Sequence, residues 1–503
     1  MSASPPARLT LLALALAVLV RTALLADKPL WRDEAWVAAL AGEPMSAAVR
    51  GPRTAVPVGF LALTAGARAL PGLPPEITLR LVPLVAGLGA VACIGVLARR
   101  LGASAMTAAA ATWLAAGLPP LVYYSRELKP YSLDLLVAVL APLLALDALA
   151  PPRSPADAPA RRWSWPGLLV LLVATPWIAF GGVFAVGGAL AACARGAWPR
   201  GRAARLLAAC GLFGISLAMA YGTVLRTQAA NPRLRESWAE PMAAVSALPW
   251  PSAAGHGLAE YGAVSVGYLF GGAWPLAVAL MALGAWRWPA PGRATLGWLF
   301  GATAGLAVTA ALTGHYVLAH GRFLLFAAPA VILLAAAGAV ESVRALAPAR
   351  LAARAPAFAV ALCALVTLAS AYQAIRYRLA PPEGARPDFR QDVLQDLEPV
   401  IAQAARVAGP GEPVLTSRYS GEQFRFYAHG RLPEATVCTR VECRDEGAAL
   451  SRWLPTVSRR GWIILLAEED RPGRRGDLRQ AGFDVEVAGW ARGARLWRLT
   501  RRP

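Results

Sequence analysis

The sequence predicts a polytopic α-helical membrane protein. It has about eleven transmembrane helices, interfacial helices in its first outer loop and a small C-terminal α/β domain. Three observations predict it. Of the 503 residues, 57% are hydrophobic and only 16% charged, and mean hydropathy is +0.46, whereas soluble chains carry about 25% charged residues. Apolar runs long enough to span recur as far as residue 375, each crossing needing about 20 residues. Between the runs, arginine clusters fall in alternate loops, which sets orientation. The net charge of +20 is therefore read as topology, and no nucleic-acid partner is expected. Four histidines and six scattered cysteines offer neither a zinc spacing nor a Cys-x-x-Cys pair.

The first run, Leu9 to Ala26, follows Arg8 and has no convincing cleavage site. It reads as a retained span with its N-terminus inside. Ala55 to Leu70 is short, contains Arg68 and lies between Pro57 and Pro71. Counted as a span, it would move every later arginine cluster outside, so it reads as a helix in the outer interface. Ile77 to Ala98 then runs inward to Arg99-Arg100. Ala103 to Val122 goes out to the loop Tyr123 to Tyr131, and Ser132 to Leu149 returns to a loop with Arg153, Arg161 and Arg162. Pro166 to Trp177 and Phe180 to Ala194 form a tight pair. Leu206 to Leu225 leads to a long polar loop, Arg226 to about Gly267. Trp274 to Trp286, Ala294 to Leu312, Phe323 to Val340 and Phe358 to Ile375 complete the membrane part.

After residue 375 the pattern changes. Pro413 to Thr416 and Trp462 to Leu466 have strand length. Val393 to Ala404 and Leu478 to Gly482 follow a helical period, and Asp484 to Thr500 reads as two strands around Gly489 to Gly493. This alternation predicts an α/β domain over 376–503, outside by parity, behind a membrane domain over 1–375. Cys438 and Cys443, with four residues between them, are expected to form a local disulfide in an oxidising compartment, two free thiols being the alternative. Cys93, Cys193, Cys210 and Cys363 lie in or at the ends of spans and read as packing residues.

Three outer segments gather unusual chemistry. Trp31-Arg32-Asp33-Glu34-Ala35-Trp36 places an acid pair between indoles at the membrane face. Acids also favour the first turn of any helix, which is the plainer reading. Tyr123 to Tyr131 carries Tyr124, Arg126, Glu127, Lys129 and Tyr131, and His315 to Arg322 supplies His315 and Arg322. Arg80 lies at the outer end of the second span. A charge at that depth is costly unless paired, so it marks a functional candidate. The plainer readings are snorkelling for Arg80, a local ion pair for Glu127, headgroup contact for Arg322 and a simple loop residue for His315. A carboxylate can take a proton from an acceptor hydroxyl, and arginine or lysine can neutralise a phosphate leaving group. That set suits group transfer from a lipid phosphate; it also suits a phospholipid transporter.

These motifs resemble the GT-C class of membrane glycosyltransferases, in the branch of protein O-mannosyltransferases and the aminoarabinose transferase of lipid A. Trp31-Arg32-Asp33-Glu34 matches a first-loop Trp-x-Asp-Glu motif, and Leu79-Arg80-Leu81-Val82-Pro83 an arginine near the second span. Tyr124-Ser125-Arg126-Glu127 to Tyr131 matches a second-loop Tyr-Ser-x-Glu-x-x-x-Tyr pattern, and Arg322 to Pro329 a late arginine before a proline-containing helix. The resemblance covers about residues 8–375. Thr54-Ala55-Val56-Pro57 stands where many relatives have His-Pro-Pro or Lys-Pro-Pro, so that phosphate or metal contact is not carried over.

The resemblance implies an inverting transferase of the cytoplasmic membrane, moving a sugar from a polyprenyl-phosphate donor to an unidentified glycan, lipid or protein acceptor outside. It implies Asp33 as general base, with Glu34 supporting it. Glu127 orients the acceptor or a divalent cation such as magnesium or manganese. Arg80, Arg126, Lys129 and Arg322 hold the donor phosphate, and Trp31, Tyr124, Tyr131 and His315 are further substrate contacts. The alternative is a transporter or flippase of lipid or lipid-linked sugar. Inverted repeats and broken midplane helices would favour that reading; no internal repeat is seen, and the candidate acids sit in outer loops rather than mid-span. A silent membrane protein whose outer domain binds a partner is a third reading.

Overall fold

A computed structural model describes residues 4–23, 25, 28–50, 56–149, 158–195, 200–230, 236, 239, 249–351, 353–379, 395–417, 419–428, 430–438 and 446–503. Thr54, Ala55, Arg153, Val393 and Cys443, named above, lie outside these. The chain divides into two compact units. One comprises Met1–Ala23, Met45–Leu63 and Arg80–Tyr372; the other comprises Leu24–Pro44, Thr64–Leu79 and Gln373–Pro503.

The helices up to residue 379 are α1 (Pro5–Thr22), α2 (Arg32–Ala41), α3 (Met45–Arg50), α4 (Val58–Arg68), α5 (Pro75–Arg100), α6 (Ala105–Gly117), α7 (Pro119–Tyr124) and α8 (Tyr131–Leu149). Then come α9 (Ala158–Ile178), α10 (Gly182–Ala194), α11 (Arg200–Ala220), α12 (Ser252–Phe270), α13 (Trp274–Arg287), α14 (Ala290–Leu312), α15 (Ala328–Leu346) and α16 (Ala355–Leu379). Seven helical stretches among the described residues are long and apolar enough to cross a membrane: 5–22, 75–100, 131–149, 202–229, 252–287, 292–312 and 321–346. Four shorter apolar helices, Ala105–Gly117, Trp163–Ile178, Gly182–Ala194 and Ala355–Ala369, coincide in sequence with the remaining expected spans. A fifth, Val58–Arg68, has 11 residues, about 16 Å of helix against roughly 30 Å of hydrocarbon. Its buried residues, Val58, Phe60, Leu61 and Thr64, share one face, as an interfacial helix requires. The chain is a polytopic membrane protein.

Three expectations are corrected. The first span begins at Pro5, where two prolines suit an opening turn, and ends at Thr22 rather than Ala26. The polar loop after residue 225 contains α12, nineteen residues long; its glycines, His256 and Glu260 dilute hydropathy without breaking the helix. The span expected over Ala103 to Val122 breaks at Leu118, whose φ of −58° and ψ of 125° leave the helical region. The cause is Pro119-Pro120. Proline restricts the residue before it and then fits the first positions of the new helix, α7.

That break has a consequence for hydrogen bonding. In an unbroken helix the carbonyls of Ala115 and Ala116 would accept from residues 119 and 120, both prolines without an N–H. Arg21 on α1 fills the gap. It is fully buried, and its Nη2 donates to Ala115 O at 3.0 Å, its Nη1 to Ala116 O at 2.7 Å and its Nε to Ser125 Oγ at 3.1 Å. Residues 107–117 are buried throughout, and their run of alanines lets neighbouring helices approach closely.

In the second unit, β1 (Val414–Thr416), β2 (Arg460–Leu466), β3 (Phe483–Ala491) and β4 (Ala494–Arg501) form one sheet in the order β1-β2-β4-β3. The β1–β2 pair is parallel and the others antiparallel. Ile463 and Leu465 pack with Trp453, Leu478 and Trp497. Trp462, Ile464 and Leu466 are buried on the opposite face, so β2 reads as an unbroken apolar run. The helix α17 (Glu398–Val407) buries Val400, Ile401 and Ala404, and its Gln403 Nε2 donates to Ala488 O at 2.8 Å. The expected α/β pattern is present, and Cys438 is disulfide-bonded.

Arg21 and the proline pair are thus coupled. Arg21→Met should destabilise the purified protein by about 2 kcal/mol or more, since hydrogen bonds to charged groups contribute roughly 1.5–3 kcal/mol each. Adding Pro119→Ala and Pro120→Ala restores the missing N–H donors and should recover part of that loss. Thermal unfolding of the single, paired and combined variants measures the coupling; strictly additive effects would contradict it.

Candidate active site

In the first unit, Arg80 sits fully buried on α5. Gly87 is seven residues further along the same helical face, and Ser125 packs directly onto it. A β-carbon at Gly87 would collide with the Ser125 side chain. Arg80 therefore lies on the face of α5 that the segment after α7 covers. That segment is not a solvated loop: Ser125, Arg126, Glu127 and Lys129 are 0, 7, 1 and 9% exposed. Its backbone turns tightly, with Lys129 N donating to Glu127 O at 2.7 Å, and Pro130 O accepts from Leu133 N as α8 begins.

Aromatic rings join this segment to the one before α15. The Tyr124 and Tyr131 rings meet edge to face at 5.0 Å. The Tyr124 hydroxyl lies 2.7 Å from that of Tyr268 on α12. Tyr131 packs on Phe323 at 5.8 Å, and the Arg322 guanidinium lies over Phe323 at 5.0 Å. Gly321 makes room for the Tyr268 ring, which a β-carbon would strike. Burial, then the Tyr268 and Tyr131 phenols, raise the Tyr124 phenol well above its ordinary value, with Arg322 opposing. Tyr124 stays a neutral phenol at physiological pH.

The structure thus brings together Tyr124, Tyr131 and Arg322, and links Arg80, Arg126, Glu127 and Lys129 to them through Ser125 and the chain. His315 is placed differently: it is exposed, and its Nδ1 lies 3.2 Å from Thr313 Oγ1. His320, not singled out in the sequence, packs edge-on to Phe323 at 6.2 Å. Burial first, and Arg322 second, lower its pKa. Asp134 is also buried and accepts from Gly182 N at 3.0 Å, where an acid suits the start of α10.

In the second unit, α2 begins immediately after Trp31. Glu34 is fully buried, and its carboxylate reaches back to accept from Trp31 N at 3.4 Å, as an acid at the third helical position does. Asp33 keeps a side chain 25% exposed and accepts from Arg32 Nε at 3.3 Å. The two acids therefore differ: one closes the helix start and the other remains accessible.

The extended residue before α2 is held by the helix α18 (Gly421–Tyr427). Leu30 N donates to Tyr427 Oη at 2.7 Å, and Gln423 Nε2 donates to Leu30 O at 2.8 Å and Gln395 O at 2.7 Å. Arg32 N donates to Gln395 Oε1 at 3.1 Å. Its guanidinium lies over Tyr419 at 4.6 Å and 3.6 Å from Glu468. A buried non-helical peptide must find such partners. Among the described residues no group of three or more His, Cys, Asp or Glu side chains could hold a metal ion.

Sequence reasoning missed Arg21, Tyr268, His320, Gln395, Gln423 and Tyr427. A charge inside a spanning run marks Arg21, and Gln423 and Tyr427 share a helix face at four-residue spacing. Tyr268 and Gln395 carry no local signal.

No family profile matches the sequence, and no curated protein matches it. Solved structures do match. ArnT from Cupriavidus metallidurans bound to undecaprenyl phosphate aligns with a TM-score of 0.55 and 14% identity over 97% of both chains. The Archaeoglobus fulgidus oligosaccharyltransferase in complex with Zn and sulfate gives 0.53 and 12% identity, over 97% of this chain and 72% of that one. The oligosaccharyltransferase AglB from the same organism, with an inhibitory peptide and a dolichol-phosphate, gives 0.50 and 13% identity, over 97% and 74%. The chain has the fold of the GT-C class of membrane glycosyltransferases.

Proposed function

We propose that the chain is a glycosyltransferase that moves a sugar from a polyprenyl-phosphate donor to an acceptor hydroxyl at the outer face of the cytoplasmic membrane, with inversion. One observation supports this most: Arg21, Arg80, Arg126 and Lys129 are buried, Arg21 and the face of α5 that bears Arg80 both meet Ser125, and Arg322 lies over Phe323 beside the Tyr124–Tyr131 rings. Buried cations on neighbouring segments suit a phosphate ligand. Two proteins of the same fold have solved structures with a polyprenyl phosphate bound, undecaprenyl phosphate in one and a dolichol-phosphate in the other.

The chemistry follows from charge. A sugar phosphodiester carries one negative charge; when the bond to the sugar breaks, the departing phosphate monoester takes the electron pair and becomes more negative. Cations fixed at that phosphate bind the transition state more tightly than the ground state. In this reading Arg80, Arg126, Lys129 and Arg322 hold the phosphate, and Tyr124 and Tyr131 line its approach. Glu127 orients the acceptor. Asp33 takes the acceptor proton as the oxygen attacks the anomeric carbon from the side opposite the phosphate. Glu34, closing the start of α2, and the Gln423–Tyr427 latch hold Asp33 in place, with Trp31 beside it. In this division of labour residues 1–375 carry the transfer, and 376–503 lie outside the membrane and support the acidic segment.

Three measurements test this. Asp33→Asn keeps shape and removes the base. It should fold and bind donor, yet transfer sugar at least ~10²-fold more slowly, with Glu34→Gln acting mainly on stability. Near-normal turnover in Asp33→Asn would show that the base is elsewhere. Arg80→Ala or Arg322→Ala should weaken binding of polyprenyl phosphate, and lysine should restore only part because the two-pronged geometry is lost. Unchanged affinity in both alanine variants would favour headgroup snorkelling. For orientation, a cysteine at exposed His315 in a cysteine-free background should react with an impermeant reagent from outside. One at exposed Arg350 should react only from inside, and the reverse pattern would overturn the assigned face.

A further inference from the structure

A second charged cavity lies at the far ends of α5 and α6. Arg80 and Arg99 are nineteen residues apart on α5, about 28 Å of helix, close to the roughly 30 Å thickness of a hydrocarbon core. There Arg99, Arg287, Arg344, Glu341, Trp286 and Trp288, with the start of α6, line a cavity of about 540 Å³. Glu341 stands between two of the arginines, 2.6 Å from Arg344 Nη1 and 3.8 Å from Arg287 Nε. One carboxylate against three guanidiniums leaves a charge of +2. Trp288 is buried, its Nε1 donating to Leu101 O at 2.9 Å, so one wall is fixed. Trp286 stands 69% exposed with the Arg287 guanidinium over its ring at 5.5 Å.

We propose that this cavity binds the phosphate headgroup of an anionic membrane phospholipid, in the leaflet opposite the candidate active site. Arginine suits phosphate because its planar fork makes paired hydrogen bonds to two oxygens. An exposed indole beside the guanidiniums suits the interface of a lipid rather than a soluble anion, since tryptophan favours headgroup level. The helix start at Ser104 adds the positive end of a dipole. Polybasic surfaces attract anionic membranes diffusely; here a walled cavity aligns two of the cations on one carboxylate.

The test uses the full chain in phosphatidylcholine nanodiscs, with phosphatidylglycerol titrated and bound lipid counted by native mass spectrometry. Wild type should retain phosphatidylglycerol in preference to phosphatidylcholine. Arg287→Ala/Arg344→Ala should lose about tenfold or more in that affinity. Arg350→Ala/Arg354→Ala, removing equal charge from exposed positions outside the cavity, should change it less than about twofold. Arg287→Lys/Arg344→Lys keeps the charge and should fall between, which keeps the result readable if the alanine pair fails to fold. Excess inorganic phosphate should not displace the lipid. Equal losses in both alanine pairs would mean diffuse attraction, and displacement by inorganic phosphate would mean a soluble-anion site; either overturns the proposal.

Discussion

Two prolines in a membrane helix remove two N–H donors, and the carbonyls they leave must find partners within the protein, because hydrocarbon offers none. Pro119 and Pro120 do this to Ala115 and Ala116, and Arg21 answers with two guanidinium bonds while a third reaches Ser125. One side chain thereby fixes the end of α6, the direction in which α7 departs and the start of the segment carrying Arg126, Glu127 and Lys129. Ser125, so held, lies against Gly87, which places that segment over the face of α5 that bears Arg80.

The same end of the first unit combines charge with a ring framework. Tyr124, Tyr131, Tyr268 and Phe323 join three separate stretches of chain through edge and stacking contacts. Rings order neighbouring segments without adding charge, so positive potential can accumulate beside them. In a poorly hydrated site that potential acts on a phosphate far more strongly than it would in water. The second unit handles its acids oppositely. Glu34 is committed to its own helix start, and Asp33 stays accessible beside Arg32. Residues near 30 and residues near 425 cooperate in this, although almost 400 positions separate them.

Much of the fold was legible because membrane constraints act locally. The recurrence of spans and the short, one-sided α4 could be read directly, and so could the four strands with their continuous central run. What escaped was of two kinds. The helix α12 was hidden because glycine, His256 and Glu260 lower hydropathy without forbidding helix. Arg21, Tyr268, Gln423 and Tyr427 were hidden because their partners are remote in sequence. Arg21 was the exception that could have been found, since a charge in a span and a Pro-Pro pair in another are complementary defects. Among the site candidates, Tyr124, Tyr131 and Arg322 lie together, whereas His315 points to an exposed position and His320 takes the place beside Phe323.

The central claim is that the buried cations of the first unit receive a polyprenyl phosphate. The most direct measurement is native mass spectrometry of the purified protein offered polyprenyl phosphate and its phosphate-free polyprenol together, in excess phospholipid. The account predicts about one polyprenyl phosphate retained per chain, little polyprenol, and the same selectivity in Asp33→Asn. Equal retention of the two lipids, or of neither, would contradict it.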